Sequence, residues 1–228
     1  YRIETADDLV ALANNSQKEP YRSAYYKQTE DLDMTGKSMN SIGGANMTYG
    51  FAGTYDGNGK TISNLNVPYL FNAVTAESCT FKNASVARWL VGGKVINCKN
   101  YGSILPTFNG TDWSNDANAG GIVQTAESGA EIIGCENYGK IEIQSDKTNF
   151  SRIGGIAASI SNAVIRDCHN YGSLNAGKPA ENYYGNTGNY AGGIVGRVTT
   201  AGIYKGNNRI IGCSNRGSVT AGGYVGGL

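Results

Sequence analysis

Residues 133–141 read Ile-Gly-Cys-Glu-Asn-Tyr-Gly-Lys-Ile, and the same pattern returns three more times in the chain. The other copies are residues 96–104, 166–174 and 211–219. Successive copies are separated by 37, 33 and 45 residues, counted from cysteine to cysteine. Repeats of about 20–50 residues are typical of solenoids, in which each unit stacks on the next. The Cys-x-Asn-x-Gly motif therefore predicts a coil built from stacked units.

A second element precedes the later copies. Gly-Gly-Ile-Val or Gly-Gly-Ile-Ala begins at Gly120, Gly154 and Gly192, and Gly-Gly-Tyr-Val begins at Gly222. Short runs rich in Ile and Val, and alternation such as that of Lys140–Ile143, indicate β-strands. Each unit offers three strands: the Gly-Gly-Ile, Ile-x-Cys and Gly-x-Ile segments. We therefore predict an all-β fold, a right-handed parallel β-helix with three-strand coils, because parallel crossovers are right-handed in general.

Three positions of the motif have distinct predicted roles. The cysteine recurs once per unit as a small apolar side chain, which favours a buried stack over disulfides. The asparagine is expected to form a hydrogen-bonded ladder, and the glycine after it a positive-φ corner. In two earlier, less regular copies the cysteine position is assigned to Leu65 and Phe81. The predicted structural ladder comprises Leu65, Phe81, Cys98, Cys135, Cys168, Cys213, Asn100, Asn137, Asn170 and Asn215.

The front of the chain differs from the repeats. Thr5-Ala-Asp-Asp8 matches a capping box followed by an apolar face, so a short helix is expected there. Residues 25–34 are predicted as one strand, and residues 51–62 as strand, tight turn, strand. Within the latter, Asp56–Gly59 is interpreted as a hairpin-type turn rather than a calcium loop, since the later acidic ligands are missing.

These features predict two parts. Residues 1–50 form an N-terminal cap with a short α-helix and a β-strand, and the helix shields the open edge of the first coil. Residues 51–228 form the β-helix repeats, with the last repeat truncated at the C-terminus.

Composition limits the classes of partner. The net charge is +1 and only 16% of residues are charged, which gives no electrostatic basis for binding nucleic acid. No apolar run approaches the ~20 residues that span a membrane, so no membrane insertion is expected. The five cysteines are odd in number and include no Cys-x-x-Cys pair, so no metal site and no cofactor are expected. We expect a monomer.

Catalytic chemistry has little support in the sequence. The single histidine, His169, occupies a motif position that holds Lys99, Glu136 and Ser214 in the other copies. Such variation indicates a solvent-facing position rather than a catalytic base. Lyases and hydrolases built on β-helices need converging acids. The candidate carboxylates are Asp112, Asp116, Glu131 and Glu142, and they do not recur in neighbouring units. We therefore predict that the protein is not an enzyme and has no catalytic residues.

The extra residues of the longer units share one position in the repeat. They are residues 106–119, 145–152 and 177–190, and they should emerge on one side of the coil, where solenoids often bind ligands. Aromatic and short polar side chains in these loops suit contact with glycans or proteins; the alternative is that they cover the coil. The predicted binding residues are Phe108, Asp112, Trp113, Asp116, Phe150, Tyr183, Tyr184 and Tyr190. A fourth long segment, 199–209, falls at a different corner.

Most of the chain resembles a known group of repeat proteins. The residues that carry the resemblance are Thr5–Leu9, Asp31–Asp33, Phe51–Leu65 and the glycine–cysteine units. In these features the chain is similar to bacterial surface proteins with GLUG-type repeats, which occur in adhesins and beside immunoglobulin A peptidases. The resemblance implies an extracellular or cell-surface location in a bacterium, and it transfers no catalytic residues.

Three functional hypotheses are consistent with the sequence. The first is a non-catalytic surface module that binds a glycan, or a host or microbial surface protein, through the long loops. The second is a structural stalk that carries another domain. The third is a β-helix carbohydrate-active enzyme, either a lyase or a hydrolase.

Overall fold

The structure is a computed structural model that describes residues 1–44, 50–72, 74–77, 79–81, 84–105, 116–143, 150–177, 189–199 and 207–227. Within these ranges the chain is nearly all β, with one α-helix, one 3-10 turn and 25 strands. The strands form four sheets, called here sheets A to D, and each of their pairings is parallel.

Sheet A is the largest, with 11 strands. Its strands are Arg2–Ile3, Tyr25–Gln28, Thr54–Asp56, Tyr69–Phe71, Thr75–Glu77, Ser85–Val91, Lys94–Ile96, Val123–Ile133, Ala157–Arg166, Val195–Val198 and Arg209–Ile211. Sheet B has seven strands. They are Leu32–Asp33, Thr61–Ser63, Thr80–Phe81, Lys99–Asn100, Glu136–Asn137, His169–Asn170 and Ser214–Asn215.

Sheets C and D are smaller and belong to the later coils. Sheet C consists of Ile141–Glu142, Leu174–Asn175 and Val219–Thr220, and sheet D of Asp116–Gly120, Phe150–Gly154, Tyr190–Gly192 and Tyr224–Gly226. In the described later units the chain passes from sheet D to A, then B, then C, and returns to D one strand further along. This recurring path is the solenoid-like arrangement that the repeat predicts.

The number and bounds of the strands in one coil differ from the three strands that the sequence predicts. In the coil of Cys135, one long strand, Val123–Ile133, begins directly after Gly-Gly-Ile and ends at the isoleucine of Ile-x-Cys. Its register shifts between Glu127 and Ala130, where Ser128 and Gly129 have positive φ. A two-residue strand of sheet B follows the cysteine, and a strand of sheet D ends at the first glycine of the pair. The described coil therefore crosses four sheets.

The predicted glycine corner is wrong. Gly139, Gly172 and Gly217 do not have positive φ; instead, a Cβ at each would lie 1.9–2.0 Å from a glycine carbonyl oxygen of the preceding coil. The glycine is required because neighbouring backbones approach closely there. The left-handed corner lies before each cysteine and turns the chain from sheet A to sheet B. Its residues are Asn97, Gly134, Asp167 and Gly212, with φ between 52° and 63°.

The interior is divided into two apolar cores. The larger lies between sheets A and B and includes Ile122, Ile132 and Cys135. The smaller lies between sheets C and D and includes Ile141 and Ile153. Both are formed by side chains that are fully or almost fully buried.

The asparagine column lies where the coil narrows beside the larger core, and this narrowing is called here the waist. Asn137 is fully buried, and a Cβ on Gly121 of the same coil would lie 2.4 Å from its Cγ. Gly155 stands in the same relation to Asn170, and Gly193 to Asn215 at 2.5 Å. The second glycine of each Gly-Gly pair is therefore the contact surface for the asparagine of its own coil, which explains why the two motifs recur together.

The N-terminal segment contains the predicted helix, Ala6–Asn15, with Leu9 and Leu12 buried in the larger core. The capping box is present: Thr5 N donates to Asp8 Oδ2 at 2.8 Å, and Asp8 N donates to Thr5 Oγ1 at 3.2 Å. The division at residue 50 stays a prediction, and sheet A continues across it because Tyr26 pairs with Tyr55.

Two local predictions near the front of the chain are wrong for one reason: the chain turns between sheets. Residues 25–34 form two strands, Tyr25–Gln28 in sheet A and Leu32–Asp33 in sheet B. Asp56–Gly59 is a corner and not a hairpin turn, since Thr54–Asp56 lies in sheet A and Thr61–Ser63 in sheet B.

Two positions in the repeat alignment also need correction. Phe81 pairs with Asn100 and Ile62, so it belongs to the asparagine column, and Cys79 takes the cysteine position. Leu65 is buried in the larger core beyond the end of Thr61–Ser63, outside the cysteine column. At the other end, Gly226 pairs with Gly192, so the last Gly-Gly pair is 226–227 and not 222–223.

Candidate binding surface

The three long insertions leave and rejoin the coil at stacked positions. Before them, Ile104 bridges to Ile141, and Ile141 pairs with Leu174. After them, Asp116 pairs with Phe150, and Arg152 pairs with Tyr190. Each insertion therefore runs from sheet C to sheet D, and the ends of successive insertions lie on neighbouring strands. The segment 199–209 leaves from a strand of sheet A, at a different corner.

Most of the predicted binding residues lie outside the described part of the chain. These are Phe108, Asp112, Trp113, Tyr183 and Tyr184. Asp116 and Phe150 are opposite each other at the first positions of their strands. Tyr190 is half-buried and stacks on Tyr224, with ring centroids 4.9 Å apart and ring planes 13° apart. Of the predicted set, Asp116, Phe150 and Tyr190 are thus placed at the insertion ends of sheet D.

Sheet D carries one row of polar and aromatic residues beside the insertions. The register places Asn118, Arg152, Tyr190 and Tyr224 in one column on successive coils. The sequence predicted only Tyr190 in this row. The row lies on the side of the coil where the insertions begin and end; Asn118 Oδ1 and Arg152 Nε are buried in it, and Tyr224 is its most exposed member.

A second surface row, on sheet B, consists of tyrosines at the fourth position of Cys-x-Asn-x-Gly. The rings of Tyr101 and Tyr138 stack at 4.8 Å and 6°, and those of Tyr138 and Tyr171 at 4.7 Å and 9°. Arg216 continues the row, with its Cζ 5.8 Å from the Tyr171 ring centroid. Sugars stack on open ring faces, but in this row most faces are covered by the next ring. The row therefore stabilises the coil and presents ring edges to solvent.

The neighbouring row contains Lys99, Glu136, His169 and Ser214. Lys99 Nζ lies 2.7 Å from Glu136 Oε2, and the Tyr138 hydroxyl donates to the same oxygen at 3.0 Å. Burial works to raise the pKa of Glu136, but these hydrogen bonds hold it below its usual range. His169 Nδ1 and Ser214 Oγ are 2.8 Å apart. In catalytic nucleophile–histidine pairs a third group orients the histidine; the carboxylate of this row, Glu136, is engaged by Lys99 and Tyr138.

The carboxylates considered for hydrolysis do not converge among the described residues. Glu131 lies on sheet A and pairs with Lys94 at 2.8 Å. Glu142 lies on sheet C and pairs with Lys140 at 2.7 Å. Within the described ranges, no group of three His, Cys, Asp or Glu side chains could hold a metal ion. The same ranges contain no helix with the length and hydrophobicity of a membrane span.

The five cysteines are free thiols, and all except Cys213 are buried. Burial raises the pKa of the Cys98 and Cys135 thiols. The pKa of Cys168 is raised chiefly by its hydrogen bond with Cys135, and that of Cys213 by its hydrogen bond with Cys168. Because the thiolate is the reactive form, a raised pKa slows the reaction of these four thiols in the folded protein.

We expect the native protein to react slowly with an aromatic disulfide reagent, with the half-exposed Cys213 modified first. After unfolding in guanidinium chloride, with no reductant added, all five thiols should react. The absorbance of the released aromatic thiolate counts the cysteines that react before unfolding and those that react after it. A count below five before reduction, or rapid modification of Cys98 in the native state, would contradict this arrangement.

Comparison with known proteins identifies the fold and no family. No protein-family model matches the sequence, and no curated protein matches it. The structure is similar to the crystal structure of a putative immunoglobulin A1 protease from Bacteroides ovatus, with a TM-score of 0.72 and 19% sequence identity. The match covers 97% of this chain and 67% of that one. At this identity the likeness shows a shared fold alone, although the neighbour's name agrees with the immunoglobulin A peptidase part of the resemblance.

Proposed function

We propose that the protein is a non-catalytic, extracellular or cell-surface β-solenoid module that binds a glycan or a surface protein through its long insertions. The observation that carries the proposal is the stacking of the insertion ends on sheets C and D. Insertions that begin and end on neighbouring coils can present their side chains to one partner together. The row of Asn118, Arg152, Tyr190 and Tyr224 borders the same side, and its exposed aromatic residue, Tyr224, adds to this surface.

The finer features of the fold belong to the same proposal. We infer right-handed winding, because a strand that returns to the same parallel sheet almost always does so with that hand. The GLUG-type assignment, the bacterial cell surface and the monomeric state are parts of the proposal too. The GLUG-type assignment rests on the resemblance of the repeat units and on the name of the Bacteroides ovatus neighbour, and the cell-surface location rests on the resemblance.

A glycan array tests the site. We expect the combined variant Trp113→Ala, Tyr183→Ala and Tyr184→Ala to weaken binding of any glycan ligand by at least about tenfold, because aromatic side chains dominate such contacts. Tyr101→Ala is the matched control, since Tyr101 is an exposed aromatic residue that directly follows a strand of sheet B. Binding that survives the triple variant, or that falls equally in the control, would exclude the insertions as the binding site.

A structural stalk is the second candidate. It is favoured by the continuity of the hydrogen-bonded and stacked columns over successive coils, which would make a stiff rod. A parent gene in which the coils are followed by a separate folded domain would support this role. A gene that ends soon after Leu228 would count against it. We propose no enzymatic activity.

A further inference from the structure

The stacked tyrosines that follow the strands of sheet B bring two exposed phenols together on adjacent coils. The ring centroids of Tyr101 and Tyr138 are 4.8 Å apart, and the ring planes differ by 6°. The backbone pairs Asn100 with Asn137 directly before them, so the two tyrosines occupy equivalent positions. Tyr101 is 49% exposed and Tyr138 is 39% exposed. Two phenols in this arrangement are the reactants of a dityrosine, in which the ring carbons beside the hydroxyl groups are joined.

One of these two phenols has an acceptor for its proton. The Tyr138 hydroxyl donates to Glu136 Oε2 at 3.0 Å. Burial and this hydrogen bond raise the pKa of Tyr138, so the phenol keeps its proton at neutral pH. Although burial opposes them, the hydrogen bonds from Lys99 and Tyr138 hold the pKa of Glu136 below its usual range, so the carboxylate is ionised. Because a phenol that loses an electron becomes strongly acidic, the hydrogen-bonded carboxylate can take the proton as a general base.

The other stacked tyrosines are less suited to oxidation. The Cζ atom of Arg216 lies 5.8 Å from the ring centroid of Tyr171, and a cation beside the ring opposes the removal of an electron. The rings of Tyr190 and Tyr224 stack at 4.9 Å, but neither hydroxyl donates to a carboxylate within the described part of the chain. Among the described stacked pairs, the first two rings of the row therefore combine exposure with a proton acceptor.

We propose that Tyr101 and Tyr138 form an oxidative cross-linking site, at which a peroxidase acting with hydrogen peroxide joins the two rings as dityrosine. Each phenol loses one electron and one proton, and Glu136 takes the proton of Tyr138. Both exposed rings turn about their side-chain bonds until two Cε carbons meet. The two radicals then form one carbon–carbon bond, and the hydrogen atom on each joined carbon moves to the phenol oxygen. Hydrogen peroxide accepts the two electrons and two protons and becomes two molecules of water.

The cross-link joins two coils that are otherwise held together by non-covalent contacts. It closes the segment of chain between the two tyrosines, which contains the insertion at residues 106–119. A covalent link that closes a long loop restricts the unfolded chain and so stabilises the folded one. The oxidised protein is therefore expected to unfold at a higher urea concentration than the untreated protein. The reaction does not depend on any ligand of the insertions.

Treatment of the full chain with a peroxidase and hydrogen peroxide, followed by mass spectrometry, tests the proposal. We expect dityrosine fluorescence and the loss of two hydrogen atoms from a chain that still migrates as a monomer on a denaturing gel. Digestion after glutamate locates the link, because Glu127, Glu131 and Glu136 lie between Tyr101 and Tyr138 in the sequence. The two peptides that contain these tyrosines should be recovered as one cross-linked species.

Tyr101→Phe and Tyr138→Phe should each abolish this link, whereas Tyr171→Phe, the matched control from the same row, should retain it. Glu136→Gln keeps both phenols and should slow the cross-linking by about tenfold or more, because an amide does not act as a general base. All four side chains are at least partly exposed, so the variants should fold, which circular dichroism checks. The proposal is overturned if no dityrosine forms, if the links join separate chains or other tyrosines, or if Glu136→Gln reacts as fast as the parent.

Discussion

Gly155→Ala is expected to destabilise the protein by about 3 kcal/mol or more, because the new methyl group has no space. Its Cβ would lie 2.1 Å from the backbone oxygen of Gly193 on the next coil and 2.4 Å from Cγ of Asn170. Neither neighbour can move freely: the oxygen is part of the next coil's backbone, and the asparagine is fully buried. The midpoint of urea unfolding, followed by circular dichroism, measures the loss.

Gly227→Ala is the matched control for this prediction. Gly227 follows Gly226, which pairs with Gly192, so it occupies the same position of the repeat as Gly155 and Gly193. A Cβ there meets nothing within 4 Å. The substitution should therefore change stability by less than about 0.5 kcal/mol. Equal losses at Gly155 and Gly227 would show that intrinsic backbone preference, and not the waist contact, accounts for the effect.

Asn137→Ala is expected to cost about 3 kcal/mol, since it removes the centre of a buried ladder and leaves its partners unpaired. Asn100 Nδ2 donates to Asn137 Oδ1 at 2.8 Å, and Asn137 Nδ2 donates to Asn170 Oδ1 at 2.8 Å. The same side chain also accepts from Gly139 N at 3.2 Å and donates to Gly139 O at 3.0 Å. The same urea experiment measures the loss.

Asn215→Ala provides the comparison at the end of the ladder. Asn215 accepts from Asn170 at 2.7 Å and is only half-buried, so water can replace part of what is lost. We expect a cost of about 1 kcal/mol. A loss at Asn137 no larger than that at Asn215 would mean that the ladder adds no stability beyond the local turn.

The sequence predicts the recurring core of this fold well because the repeat is dictated by burial. Cys135 and Asn137 recur at fixed spacing since each must meet its own counterpart on the next coil. The role of Gly139 could not be read from spacing, because a positive φ and a close backbone approach both require glycine. Only the position of the Gly102 carbonyl, 1.9 Å from a hypothetical Cβ, separates the two.

The candidate sites were predicted less completely, for physical reasons that differ between them. Sheet D was missed because Asp116–Gly120 contains alanine and glycine in place of an alternating apolar pattern. The stacked tyrosines were present in the motif but lie on the outer surface, where burial gives no signal.

The contacts at the waist determine how the length of the stacked coil can change. Gly155 packs against the backbone of its counterpart on the next unit, and Asn170 bonds to the side chain of its counterpart. Each unit therefore has complementary upper and lower surfaces. A unit can therefore be duplicated in tandem. Duplicating the 33-residue step from Cys135 to Cys168 would extend the body by one strand spacing, about 4.8 Å, with every ladder preserved. The length of the coil is therefore set by the number of units, and the glycine and asparagine contacts fix the spacing between them.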